Sequence, residues 1–100
     1  MDLDTIIERI GYLRNRAGLT QRALSVKIGK NPGYINRLEV MKDFTPTVTT
    51  LLDIIDVCGS TPEEFFYENF YQYKTDKQAF EFLKTLSETQ KKAVMNLYAK

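Results

Sequence analysis

The sequence predicts an all-α fold, five short helices in one bundle followed by a C-terminal helical hairpin. Three observations carry that expectation. Apolar residues recur at three- and four-residue steps, helix start and stop residues punctuate those steps at short intervals, and no stretch alternates apolar with polar residues as a strand would. One hundred residues suit one domain with an appendage, because two full domains would each be too small to bury much core. The pattern divides the chain at 1–69 and 70–100.

In the first helix, Ile6, Ile10, Leu13 and Ala17 form one apolar stripe, and Gly18 stops it. Thr20 is the N-cap of the second helix, since its hydroxyl can accept from a free backbone amide of the next turn. Leu24 and Ile28 supply the inward side there, and Gly29 closes the helix. Asn31 caps a third helix with Pro32 at the first position, where a missing amide costs nothing, and Ile35 and Leu38 give its buried side. After a loop holding Asp43, Thr45 and Pro46, the residues Val48, Leu51, Leu52 and Ile55 describe a fourth helix, which Gly59 ends. Thr61, Pro62 and Glu64 form a capping box that starts a fifth helix, carrying Phe65 and Phe66 inward and bringing the bundle to about Asn69. Phe70 to Lys74 reads as a linker or a frayed helix end. Phe80, Leu83 and Leu86 then trace a sixth helix, Ser87 and Gln90 form a second capping box, and Ala93, Val94, Leu97 and Tyr98 mark a seventh. Lys100 ends that pattern without a stop signal.

Composition removes several classes of function. With 43% hydrophobic and 27% charged residues the chain resembles an ordinary soluble protein. No stretch approaches the roughly 18 apolar residues of a spanning helix. The acidic start (Asp2, Asp4, Glu8) lacks the basic region of a secretion signal, so a cytoplasmic protein without membrane partners is expected. The single cysteine, Cys58, reads as a small core residue, and the absence of histidine removes the usual zinc clusters. Without histidine, a glycine-rich phosphate loop or a suitably spaced carboxylate pair, the chain is not expected to be an enzyme, and neither a cofactor nor a small-molecule ligand is expected.

The overall charge of +1 conceals an uneven layout. Between Arg9 and Lys42 lie eight basic residues (Arg9, Arg14, Arg16, Arg22, Lys27, Lys30, Arg37, Lys42) and one acidic residue, Glu39, so this stretch carries +7 and the rest of the chain −6. That is the layout of a protein that meets a polyanion on one face.

The run QRALSVKIGKNPGYINRLE, Gln21 to Glu39, gives the basic stretch a shape. Leu24, Ile28, Ile35 and Leu38 face inward from two helices that cross steeply, and Gly29 allows the sharp turn between them. Together with "LRNRAGLTQ" before it and "TLLDIIDVCGSTPEEFF" after it, the chain from Ile6 to Phe66 resembles the lambda-repressor-like (Cro/repressor, XRE) helix-turn-helix family. The resemblance implies a protein that binds double-stranded DNA, with the helix at about 31–39 in the major groove and the preceding helix across the backbone.

Carried over position by position, the resemblance implies that Thr20 and Gln21 sit against a phosphate at the start of the second helix. Pro32, Gly33, Tyr34, Asn36 and Arg37 take groove-facing positions. Asn36 suits an adenine edge, Arg37 a guanine edge in bidentate fashion, and Tyr34 a thymine methyl or a phosphate. Arg22, Lys30 and Asn31 are also expected to bind DNA, Arg22 and Lys30 through the field they add to, while Lys42 and Thr45 are expected on phosphates and Asp43 works against them. Arg16 and Lys27 add to the attracting field. Arg14 and Glu39 match positions that form an internal ion pair in relatives, so they are expected to be structural. The chain departs from the family at Pro32 and Gly33, where members often carry polar, base-contacting side chains. Fewer direct base contacts, a closer backbone approach at Gly33, or more reliance on shape and phosphates would follow.

Six of the twelve aromatic residues lie between Phe65 and Tyr73, more than a five-helix core needs. With two amphipathic helices after them, they suggest a surface that pairs with a second copy of the chain, and two copies would read two half-sites. A transcription regulator, a repressor acting as a homodimer, is therefore the expected function. The alternative from another class is a protein-interaction or antitoxin-like module that keeps the fold with a degenerate reading helix.

Overall fold

The computed structural model describes residues 1–42 and 44–98, and all of its regular structure is helical. Asp43, Lys100 and the side chain of Tyr98, each invoked above, lie outside the described residues. The chain divides into two compact units, Met1–Tyr67 and Glu68–Lys100. No helix among the described residues is long and apolar enough to cross a membrane.

The first unit holds α1 (Leu3–Arg16), α2 (Gln21–Lys27), α3 (Tyr34–Asn36, continued with π-helical winding over Arg37–Met41), α4 (Val48–Val57) and α5 (Pro62–Phe65). They surround one core: Ile7, Ile10 and Leu13 from α1, Leu24 from α2, Ile35 and Leu38 from α3, Leu51, Ile54 and Ile55 from α4, then Cys58 and Phe65. Cys58 is the small core residue expected, and burial pushes its thiol pKa up. Short polar side chains start the helices as anticipated: Thr20 Oγ1 accepts from Ala23 N at 3.0 Å, and Thr61 Oγ1 accepts from Glu64 N at 3.2 Å.

Several details depart from the sequence pattern. On α1 the buried stripe is centred on Ile7, Ile10 and Leu13, while Ile6 is only partly buried and Ala17, already the C-cap, is exposed. On α4 the core takes Leu51, Ile54, Ile55 and Cys58, leaving Val48 and Leu52 exposed. A helix buries one stripe, Leu52 lies beside it, and Val48 sits in the first turn. Phe66 stays 51% exposed rather than turning inward. The fifth helix is a single turn, because the buried Arg9 guanidinium donates to the carbonyls of Phe65 (2.6 Å) and Tyr67 (2.8 Å), groups a longer helix would use for its own ladder.

The third helix also differs from the expected span of about 31–39. Asn31 is not its cap and Pro32 not its first residue: Asn31 Oδ1 accepts from Gly33 N at 2.9 Å within a turn formed by Pro32 and Gly33, Gly33 is the N-cap without a side-chain bond, and helical winding begins at Tyr34. The far end runs on to Met41, where Lys42 N donates five residues back to Arg37 O at 3.3 Å. Lys42 stops it in the left-handed region, at φ 55°.

In the second unit a 3₁₀ turn, Phe70–Gln72, winds directly into α6 (Tyr73–Lys84), so the helix starts earlier than the linker reading of Phe70 to Lys74 allowed. The turn to α7 (Glu88–Tyr98) carries both halves of the expected capping box: Ser87 N donates to Gln90 Oε1 at 2.9 Å and Gln90 N to Ser87 Oγ at 3.2 Å. No residue of α6 is fully buried, and Phe80, Phe82, Met95 and Leu97 are exposed.

Candidate nucleic-acid interface

The α2–turn–α3 segment is held by three locks. Gly29 adopts φ +74°, a conformation that strains any residue with a Cβ, and so lets the chain reverse within the short turn. Ser25 is fully buried between the two helices; its hydroxyl donates to Gln21 O at 2.8 Å and accepts from Ile35 N at 3.0 Å. Arg14 ties α1 to α3 as expected: Nε meets Glu39 Oε2 at 2.9 Å, Nη2 meets Glu39 Oε1 at 3.0 Å, and Nη1 donates to Leu19 O at 3.0 Å. The fork-to-carboxylate geometry fixes orientation as well as distance.

The same contacts revise the charge reading. Arg9 is buried, Arg14 is paired, and Arg16 makes a bidentate pair with the buried Glu64 at 2.7 and 2.9 Å. The hydrogen bonds that Arg16 donates to Glu64 raise the Arg16 pKa, so Arg16 is a strut within the fold rather than part of a field offered to a polyanion. Ser60 also donates to Glu64. Five basic residues of the stretch remain: Arg22, Lys27, Lys30, Arg37 and Lys42 are all exposed, and none joins an ion pair among the described residues.

The expected site residues fall on or beside this segment. Thr20 and Gln21 open α2, and Arg22 is exposed one residue further on. Lys30 and Asn31 occupy the turn, with Gly33 immediately before α3. Tyr34, Asn36 and Arg37 follow in α3, and Lys42 and Thr45 are exposed after it. The structure brings Gln21 and Asn36 together directly, Asn36 Nδ2 donating to Gln21 Oε1 at 2.9 Å. This one bond couples the two amides and leaves each with further donor or acceptor capacity for a partner. Among the described residues no hydrogen bond or ring contact joins Arg22, Lys42 or Thr45 side chains to the rest of the set.

Gly33 has an ordinary backbone: its φ is −90°, and an added Cβ would meet only Asn31 Oδ1, at 3.4 Å. Its lack of a side chain is therefore a property of the surface and not a need of the chain. Tyr34 is partly buried, which raises its phenol pKa and keeps it a neutral donor at physiological pH.

Two residues that matter here escaped the sequence reading. Ser25 could have been found as a polar residue beside inward-facing Leu24. Phe44 could have been found as an aromatic in an otherwise polar loop. Its ring takes the edge of Tyr34 at 5.3 Å between centroids and lies under the Arg37 guanidinium at 5.4 Å. Lys30 Nζ stands 5.7 Å from the centroid of the Tyr34 ring.

Comparison with curated proteins and with solved structures returns no match. A helix-turn-helix family profile matches residues 10–65, which spans the second half of α1 and the whole of α2, α3, α4 and α5. The match covers more than half of the chain and includes the crossing of α2 and α3 that the Gly29 turn and the Ser25 hydroxyl maintain. The chain belongs to the helix-turn-helix family of Cro/C1 type, the lambda-repressor-like DNA-binding regulators.

Proposed function

We propose that the protein is a sequence-specific transcription regulator, a cytoplasmic repressor that occupies operator DNA with α3 in the major groove. The observation that carries this reading is the α2–turn–α3 segment itself, along and just beyond which Arg22, Lys27, Lys30, Arg37 and Lys42 are exposed with no ion pair among the described residues, and whose two helices are joined on the exposed side by the Gln21–Asn36 amide bond. In this reading Thr20, Gln21, Arg22, Lys30, Asn31, Lys42 and Thr45 meet phosphates and fix the register. Arg37 reads guanine, Asn36 reads an adenine edge, Tyr34 touches a thymine methyl or a phosphate, and Gly33 permits close backbone approach.

The repressor acts as a homodimer in this proposal. A single short helix reads few bases, and two copies read half-sites about 34 Å apart. Support comes from the second unit, where Phe80 (57%), Phe82 (63%), Met95 (67%) and Leu97 (74%) are exposed on two helices that bury little between themselves.

Selection of bound sequences from a random duplex library at near-physiological salt tests the proposal, with Arg37→Ala as control. Enrichment of a palindrome that collapses in the variant is expected. Weak binding that salt abolishes, without enrichment, would overturn it. That outcome would favour the protein-interaction reading, for which the specific observations are Pro32 and Gly33, which carry no side-chain donor, and the exposed Val40 and Met41 at the far end of α3.

A further inference from the structure

We propose that Phe44 is a positioning residue for base reading, holding the Arg37 guanidinium in place before DNA arrives. The inference rests on the proposed role of Arg37 as the residue that reads guanine. Lys30, Tyr34, Phe44 and Arg37 form a continuous row from the turn before α3, across its first turn, to the loop that follows it. The successive separations are 5.7 Å from Lys30 Nζ to the Tyr34 ring, 5.3 Å between the two rings at an interplanar angle of 61°, and 5.4 Å from the Arg37 guanidinium carbon to the Phe44 ring. Each cation lies within the roughly 6 Å at which an aromatic face attracts it.

The physical consequence lies in side-chain freedom. An exposed arginine samples many rotamers and must be ordered on binding, whereas a planar guanidinium resting on a ring has much of that order already. Arg37 is exposed and has no carboxylate partner among the described residues, so the Phe44 ring is the group that restrains it. Tyr34 supports the ring from the side, which ties the loop carrying Lys42 and Thr45 to the same face. Phe44 is itself only partly buried and is not among the fully buried residues of the core formed by α1 to α5, so replacing it leaves that core intact.

The test compares wild type, Phe44→Leu and Phe44→Trp as full chains, with thermal melting to verify folding. In the free protein, NMR of the Arg37 side chain should show a ring-current shift and restricted Nε–H motion in wild type and in Phe44→Trp, both lost in Phe44→Leu. Equal Arg37 order in wild type and Phe44→Leu would overturn the proposal whatever the DNA results are. On the selected operator, Phe44→Leu should weaken binding about three- to tenfold, an effect of the size of an exposed cation–π contact. The loss should disappear in an Arg37→Ala background and be restored by Phe44→Trp. An equal loss in both backgrounds would assign Phe44 a merely structural role. Failure of the regulator reading is separately visible, because wild type itself would then enrich no sequence.

Discussion

Replacing Ser25 by alanine tests the link between helix packing and site geometry most directly. The hydroxyl has no exposure and is the acceptor for Ile35 N, in the first turn of α3, at 3.0 Å. Alanine leaves that amide in the core without its acceptor, a cost of about 1–3 kcal/mol. Gln21 O loses a donor too, but it lies in the first turn of α2, where the helical ladder still serves it. The better helix propensity of alanine returns about 0.5 kcal/mol, leaving a net loss of about 0.5–2.5 kcal/mol. For a unit of this size that lowers the melting temperature by roughly 3–15 °C. Circular dichroism melts and urea titrations of Ser25→Ala would measure it, with the exposed neighbour Val26→Ala as control, expected within about 0.5 kcal/mol of wild type. A Ser25→Ala protein that melts at or above the wild-type temperature would refute the argument, since Ile35 N would then need no hydroxyl.

Further outcomes are expected elsewhere. Glu39→Gln should cost about 1–3 kcal/mol in urea denaturation, because it strips the charge partner from a mostly buried Arg14, whereas exposed Arg37→Ala should change stability by less than about 0.5 kcal/mol while removing operator selection. Gly29→Ala should destabilise by about 1–2 kcal/mol, since its φ of +74° is left-handed, while Gly33→Ala, at φ −90°, should fold normally; equal melts for the two would contradict the backbone argument. Cys58, buried and with its thiol pKa raised, should react slowly with a thiol reagent in the native protein and quickly in urea, and rapid native labelling would show that the core is open there.

The sequence by itself determined what neighbouring residues settle among themselves. Thr20, Thr61 and the Ser87–Gln90 box sit three residues from the groups they bond, so their caps were legible from spacing alone. The left-handed Gly29 turn and the inward Leu24, Ile35 and Leu38 were legible for the same reason, and they place the α2–α3 crossing. The Arg14–Glu39 pair came from the family resemblance rather than from spacing.

Only the tertiary structure decided where charge and aromatic surface go. Arg9 meets the Phe65 carbonyl from 56 residues away and Arg16 meets Glu64 from 48, which removes both from the basic field that the sequence offered. Ser25 and Ile35 are brought together by the helix crossing, and Phe44 meets Tyr34 and Arg37 because a loop folds back on α3. The choice of Ile7 over Ile6, and the outward Phe66 and Val48, depend on which few degrees of each helix face the others. Periodicity names a helix and roughly its apolar side; the rotation of that side, and the partners of long charged side chains, are fixed by close packing and desolvation, which act between residues distant in the chain.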